Sequence, residues 1–245
     1  MNNINAEGGA ALGNNILWKN LEMLYLSDNR IRDKGASAIA SNTSWKNLVI
    51  LELGYNEISD EGAVFFGKNT SWENFESFHL PVNQIGNKGA VAIAANTAWT
   101  RLKRLDLSRN NISAEGAVAI GNNSSWKTLQ ELYLLANKIG DEGAIALANN
   151  SSWKGLSRLD LSSCGISDAS GVAVGRGASW KAMQSLSLND NQVGWKTLVE
   201  IARKDTQWLH IGLSFNKKFT RERRNALRTF SSSKWWYDKF RFTND

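Results

Sequence analysis

The chain reads as an α/β solenoid, a horseshoe with a parallel sheet on its concave side and helices on its convex side. Three observations predict it. Tryptophan recurs every 27 residues, at Trp18, Trp45, Trp72, Trp99, Trp126, Trp153 and Trp180. A leucine alternation follows, as at Leu48, Leu51 and Leu53 or at Leu129, Leu132 and Leu134. A Gly-Ala-rich segment closes each unit, as in GAVAIGNN at 116–123 and GAIALANN at 143–150. A fixed period of this length is the mark of stacked supersecondary units, which grow in one dimension without a central core.

Each part of the unit has a physical reason. The Leu-x-Leu alternation has period two, that of a short strand with one buried face. Strands are expected near residues 23–27, 50–54, 77–81, 104–108, 131–135, 158–162, 185–189 and 210–214. They should pair in parallel, because a right-handed crossover returns the chain in the same direction. Asn29, Asn56, Asn83, Asn110, Asn137, Asn191 and Asn216 follow the strands at one fixed place. A carboxamide both donates and accepts, so a stack of them can satisfy turn backbone as a ladder. Cys164 takes the remaining rung and is read as structural. The Ala- and Ile-rich half is helical. Pairs such as Asp60-Glu61 and Asp141-Glu142 suit the positive end of a helix, and Asn or Ser ends it. Strands pack about 4.8 Å apart and helices are about 10 Å wide, so the stack must curve with the strands inside. The Trp row is expected to close the core where helix meets strand.

The pattern L-x-x-L-x-L-x-x-N-x-I-x-x-x-G-A-x-x-I-A resembles the ribonuclease-inhibitor-like class of leucine-rich repeats over essentially the whole chain. That class also forms the repeat arrays of NOD-like immune receptors and occurs in proteins of host-associated bacteria. The period of 27 and the Trp three residues before the first Leu depart from its usual pattern. The resemblance implies a non-enzymatic scaffold that binds a protein, cytoplasmic or, in a bacterium, secreted into a host cell as an effector. It leaves open a targeting fragment of a larger enzyme such as a ubiquitin ligase.

The expected organisation is a repeat array over residues 1–216, with residues 1–17 a partial first repeat, and a basic capping helix and edge strand over 217–245. Residues 203–245 hold 11 Lys and Arg against 4 Asp and Glu, whereas the rest of the chain holds 18 against 19. The basic character therefore belongs to the C-terminal end. With aromatics in KWWYDKFRF, that end could touch an anionic membrane surface; nucleic acid is the less expected partner. The N-terminal end has no polar cap, so end-to-end self-association is expected there.

Catalysis finds little footing. His79 and His210 lie about five repeats apart, roughly 24 Å by strand spacing, so they can share neither a metal nor a proton relay. No phosphate-loop, nucleophile-elbow or zinc-helix motif occurs, and neither cofactor nor metal is expected. One cysteine permits no internal disulfide, which favours a reducing compartment. Six of the glycosylation sequons, at Asn42, Asn69, Asn122, Asn123, Asn149 and Asn150, fall in one repeated loop and read as by-products of its NNSSW-like sequence.

Variation concentrates on the expected concave face. One outward row reads Tyr25, Glu52, His79, Asp106, Tyr133, Asp160 and Ser187; its neighbour reads Met23, Ile50, Ser77, Arg104, Glu131, Arg158 and Ser185. A third contains Tyr55, Val82, Arg109 and Phe215. Aromatic and Arg side chains beside carboxylates are what interfaces enrich. The expected partner-binding residues are Tyr25, Glu52, His79, Arg104, Asp106, Glu131, Tyr133, Arg158 and Asp160, centred on Tyr133.

Overall fold

The computed structural model describes residues 2–177, 180–203, 209–216 and the backbone of 240–241. Its elements alternate between helix and strand as far as residue 212. They run α1 (Ala6–Gly13), β1 (Met23–Tyr25), α2 (Arg32–Ala40), β2 (Ile50–Glu52), α3 (Asp60–Lys68), β3 (Ser77–His79), α4 (Asn87–Ala94) and β4 (Arg104–Asp106). They continue as α5 (Ala114–Asn122), β5 (Glu131–Tyr133), α6 (Gly140–Asn149), β6 (Arg158–Asp160), α7 (Asp168–Arg176), β7 (Ser185–Ser187), α8 (Trp195–Arg203), β8 (His210–Gly212) and β9 (Phe240–Arg241). These nine strands form one parallel sheet in sequence order, as the right-handed connection requires. β9 pairs with β8 at the place expected for an edge strand. The capping helix expected within 217–245 lies outside the described residues, since 217–239 are not among them.

The strands are shorter than expected, three residues rather than five. Past them the Leu26 N–H still donates to the Glu52 carbonyl, but the Leu26 carbonyl accepts from the Asn29 and Asn56 side chains, and the chain then turns at the residue before each ladder position. Asp28, Tyr55, Val82, Arg109, Ala136, Ser163, Asp190 and Phe215 all have φ between 52° and 64°, which bends the chain out of the sheet. Tyr55, Val82, Arg109 and Phe215 therefore form a row of left-handed turns and not a third strand row. Val82 is the most strained of them, because a β-branched side chain rarely tolerates this region.

Three polar ladders hold the repeats together. The first is the expected one. Asn56 donates through Nδ2 to the Leu26 carbonyl of the preceding repeat and accepts at Oδ1 from the Ile31 N–H; Asn83, Asn110, Asn191 and Asn216 repeat the pattern. The Cys164 thiol donates to the Leu134 carbonyl at 3.2 Å, filling one donor role of the rung. The second ladder was not expected. Asn42, Asn69, Asn96, Asn123 and Asn150 sit just past their helices, and each donates to the terminal carbonyls of the helix one repeat back. These carbonyls lack partners within their own helix. Each Oδ1 accepts the N–H two residues on, so one side chain shapes the loop and caps a neighbour. Four of the sequon asparagines, Asn42, Asn69, Asn123 and Asn150, thus have a structural role, and all four are buried.

The third ladder lies at the helix N-termini. Asp33, Asp60, Asn87, Asp141 and Asp168 accept through Oδ1 from backbone N–H groups of the following repeat's first helical turn. The sequence reading assigned the acidic residues to their own helix; the structure adds the cap one repeat onward.

The core is a continuous seam of Leu, Ile and Ala between sheet and helices. Trp45, Trp72, Trp99, Trp126 and Trp153 are wholly buried in it, which settles the Trp row as scaffold. Trp45, Trp72 and Trp126 donate Nε1–H to the backbone carbonyls of Asn15, Asn42 and Asn96, one repeat back. Trp18 in the first repeat is 40% exposed.

Candidate functional site

Side chains alternate across a strand, and a three-residue strand presents one inward and two outward. Leu24, Leu51, Phe78, Leu105, Leu132, Leu159, Leu186 and Ile211 are the inward residues, all buried. Their neighbours face the concave side in two rows. Parallel register sets Tyr25 beside Glu52, Glu52 beside His79, His79 beside Asp106, Asp106 beside Tyr133 and Tyr133 beside Asp160. The same register places Arg104, Glu131 and Arg158 side by side. All nine expected binding residues therefore share one face.

Four of them form a connected network. Arg104 Nε lies 3.0 Å from Glu131 Oε2, and Arg158 Nε lies 3.8 Å from Oε1 of the same carboxylate. The Tyr133 hydroxyl donates to Glu131 Oε2 at 2.8 Å. The Arg104 guanidinium sits over the Tyr133 ring, 5.2 Å from its centroid, a cation–π arrangement. Burial, and then the hydrogen bond to Glu131, raises the Tyr133 pKa. Tyr133 belongs to the outward row, yet it does not stand free in solvent. It is instead half-buried, with both ring face and hydroxyl engaged, because the carboxylate two residues back on its own strand lies within reach. Interactions of this exposure add little stability; their consequence is a preset shape.

The other expected residues stand around this centre. Asp106 and Asp160 flank Tyr133, and each accepts the N–H two residues on, from Ser108 and Ser162. His79 Nε2 lies 2.7 Å from the Ser77 hydroxyl. Tyr25 donates to the Met23 sulfur at 3.3 Å, at the edge of the sheet and apart from the network. Ser77 and Met23 belong to the neighbouring row but were not among the expected binders; their i, i+2 spacing to His79 and Tyr25 was the available signal. A groove of about 400 Å³ lies beside this N-terminal end, lined by Tyr55, Val82, Arg30 and Glu57 among others.

The arrangement can present charge and an aromatic ring to a partner. In the Ser77–His79 contact, no carboxylate among the described residues is hydrogen-bonded to the His79 imidazole. Among the described residues no three His, Cys, Asp or Glu side chains are placed to hold a metal ion, and no helix is long and apolar enough to cross a membrane. Burial pushes the Cys164 thiol up to about 12, far from the range of a reactive thiolate.

A family model described as Leucine Rich repeat matches residues 19–40, 46–67, 74–94, 100–121, 127–148 and 156–175. The six matches together cover just over half of the chain and fall on the turn–helix and strand units described above. No curated protein matches the chain.

Proposed function

The chain belongs to the leucine-rich repeat family, whose arrays commonly mediate protein–protein interaction, and on that premise we propose that its concave face binds a protein partner around Tyr133. One observation carries the reading. The buried positions repeat almost unchanged, whereas the outward positions differ from strand to strand, and at β4–β6 they lock into a preset network. Rigid aromatic and Arg side chains on strands lose little entropy on binding, and their flanking carboxylates set orientation.

The test is affinity capture with the native chain and its variants. A partner retained by the native protein and by a convex-face Glu142→Arg variant, but lost with Tyr133→Ala and with Arg104→Glu/Arg158→Glu, supports the concave site. Unaltered capture by both concave variants rules it out. The proposal extends to a ribonuclease-inhibitor-like scaffold in the cytoplasm, or an effector delivered to a host cell. What supports the setting is the single cysteine.

Self-association at the N-terminal end is a second reading. Ile16 and Leu17 are 63% and 80% exposed, at positions where the following repeats carry Thr, Ser or Ala. Light scattering of the native chain against Ile16→Thr/Leu17→Ser tests it; identical monomer masses reject it. The basic C-terminal end is the alternative docking element, and binding that survives concave substitution yet weakens steeply with salt would favour it.

A further inference from the structure

Resting on the concave-face reading above, the geometry points to an extended basic segment as the occupant: a chain in polyproline II form, laid across the strands with Lys or Arg at every third residue.

The charge pattern is asymmetric between the two concave rows. The cations Arg104 and Arg158 lie in one row, and Glu131 engages both. The other row holds Glu52, Asp106 and Asp160 and no Lys or Arg from β1 to β8. Among the described residues none of these three carboxylates is in an ion pair. The residues between them add no cation: Tyr133 is an uncharged ring, and burial together with the Arg104 charge holds His79 below its ordinary value. Glu131 can offset only one of the two guanidinium charges, but the two Arg stand against four carboxylates, Glu52, Asp106, Glu131 and Asp160, so the two rows together are net negative. The carboxylates are too dispersed to share one metal ion, so the complementary ligand is a string of separated cations.

Their spacing selects its form. Parallel register puts Glu52, Asp106 and Asp160 two strands apart in turn, about 9.4–9.8 Å at the backbone. Curvature brings side-chain tips on the concave side closer than that. A polyproline II chain has three residues per turn and rises about 3.1 Å per residue, so every third side chain returns to one face about 9.3 Å on. An extended strand returns a side chain to one face about every 6.7 Å, and a helix with a heptad repeat about every 10.5 Å. Tyr133, between Asp106 and Asp160, is partly exposed and would meet a proline or a Lys stem between two bound cations.

The experiment uses the full chain and three synthetic peptides with four lysines each, spaced by one, two or three prolines. Fluorescence anisotropy at low salt should show the two-proline spacing binding about five-fold more tightly than the others, with affinity falling as salt rises. Glu52→Gln, Asp106→Asn and Asp160→Asn should each weaken that peptide about two- to five-fold, and Glu142→Gln on the convex side should leave it unchanged. Equal affinity for all three spacings, indifference to the three carboxylate variants, or no binding would overturn the inference. If the concave charge reversals still abolish capture of a protein partner, the concave site stands and only the basic segment falls. If they do not, both fall.

Discussion

Ala114 and Gly140 are coupled across a repeat boundary: where the helix-start carboxylate or carboxamide is missing at one, the backbone turns left-handed at the other. Five helix starts carry Asp33, Asp60, Asn87, Asp141 or Asp168, and each accepts the N–H at the next repeat's N-cap position. The backbone at four of those positions, Ser59, Gly86, Ser113 and Ser167, is extended. Ala6 and Ala114 offer no acceptor, and the corresponding residues Arg32 and Gly140 have φ of 53° and 59°. The released N–H groups donate instead to the carbonyls of Asn56 and Cys164. Glu57 and Gly165, which follow those carbonyls, are left-handed too. In the first case an Arg32–Glu57 ion pair at 2.9 Å spans the two turns; in the second, glycine stands at both.

The coupling predicts non-additive energetics. Gly140→Ser alone should cost about 1 kcal/mol, because a Cβ there meets open space and only the left-handed backbone resists it. With Ala114→Asp present, the serine introduced by Gly140→Ser can act as an extended N-cap, and the cost should vanish or reverse. Urea denaturation of the two single variants and the double gives the interaction term; simple additivity would refute the coupling.

Trp126 and Trp153 provide a matched pair. Both are wholly buried, but Trp126 donates to the Asn96 carbonyl at 3.2 Å, whereas the buried Trp153 Nε1 has no acceptor among the described residues. Trp→Phe should therefore destabilise more at Trp126 than at Trp153, by about 1 kcal/mol, while Trp126→Ala should cost roughly 3–5 kcal/mol. Thermal unfolding of the two Phe variants checks the order, and equal costs would show that the indole hydrogen bond contributes nothing.

His79 should make the array acid-sensitive. Burial, and then Arg104, lowers its pKa, against the opposing pull of Asp106, Glu52 and Glu131. The native state binds that proton less readily than the unfolded chain does. The stability contribution is thus fully present above the ordinary His value of about 6.5 and is lost as pH falls below it. His79→Gln should lose less melting temperature than the native protein between about pH 7 and about pH 5; parallel pH profiles would exclude the effect.

Cys164 should be silent toward alkylating reagents. Its raised pKa of about 12 and its buried bond to Leu134 keep it a thiol. Iodoacetamide at about pH 8 should label it only on unfolding, so labelling should follow the denaturation curve; rapid labelling of the folded chain would contradict the rung assignment.

The sheet, its parallel register and the first asparagine ladder were legible because each follows from residues within a single repeat. Leu132 between Glu131 and Tyr133 declares a strand with one buried face wherever its neighbours lie. The second and third ladders were not legible in the same way. Asn123 read as a helix stop and Asp141 as a partner for its own helix, since their acceptors and donors lie a full repeat away in sequence. Strand length was overestimated for a related reason: nothing in the residue types at Tyr55 or Val82 announces a left-handed turn, which glycine would have signalled. On the concave face, the alternation alone put Asp106, Tyr133 and Asp160 in one row. The bonding of Tyr133 to Glu131 depends on rotamers, and no spacing rule conveys it.

The second ladder turns the glycosylation sequons into a record of folding order. In a glycosylating host, Asn42, Asn69, Asn123 and Asn150 can be modified only before their amide nitrogens are committed to a neighbour's helix end. Asn122 and Asn149, exposed at the last turn of their helices, carry no such constraint. A sugar on any of the first four would be a time stamp: it marks a chain intercepted while that repeat had yet to meet the one before it. The distribution of stamps along the chain would show from which end the solenoid zips.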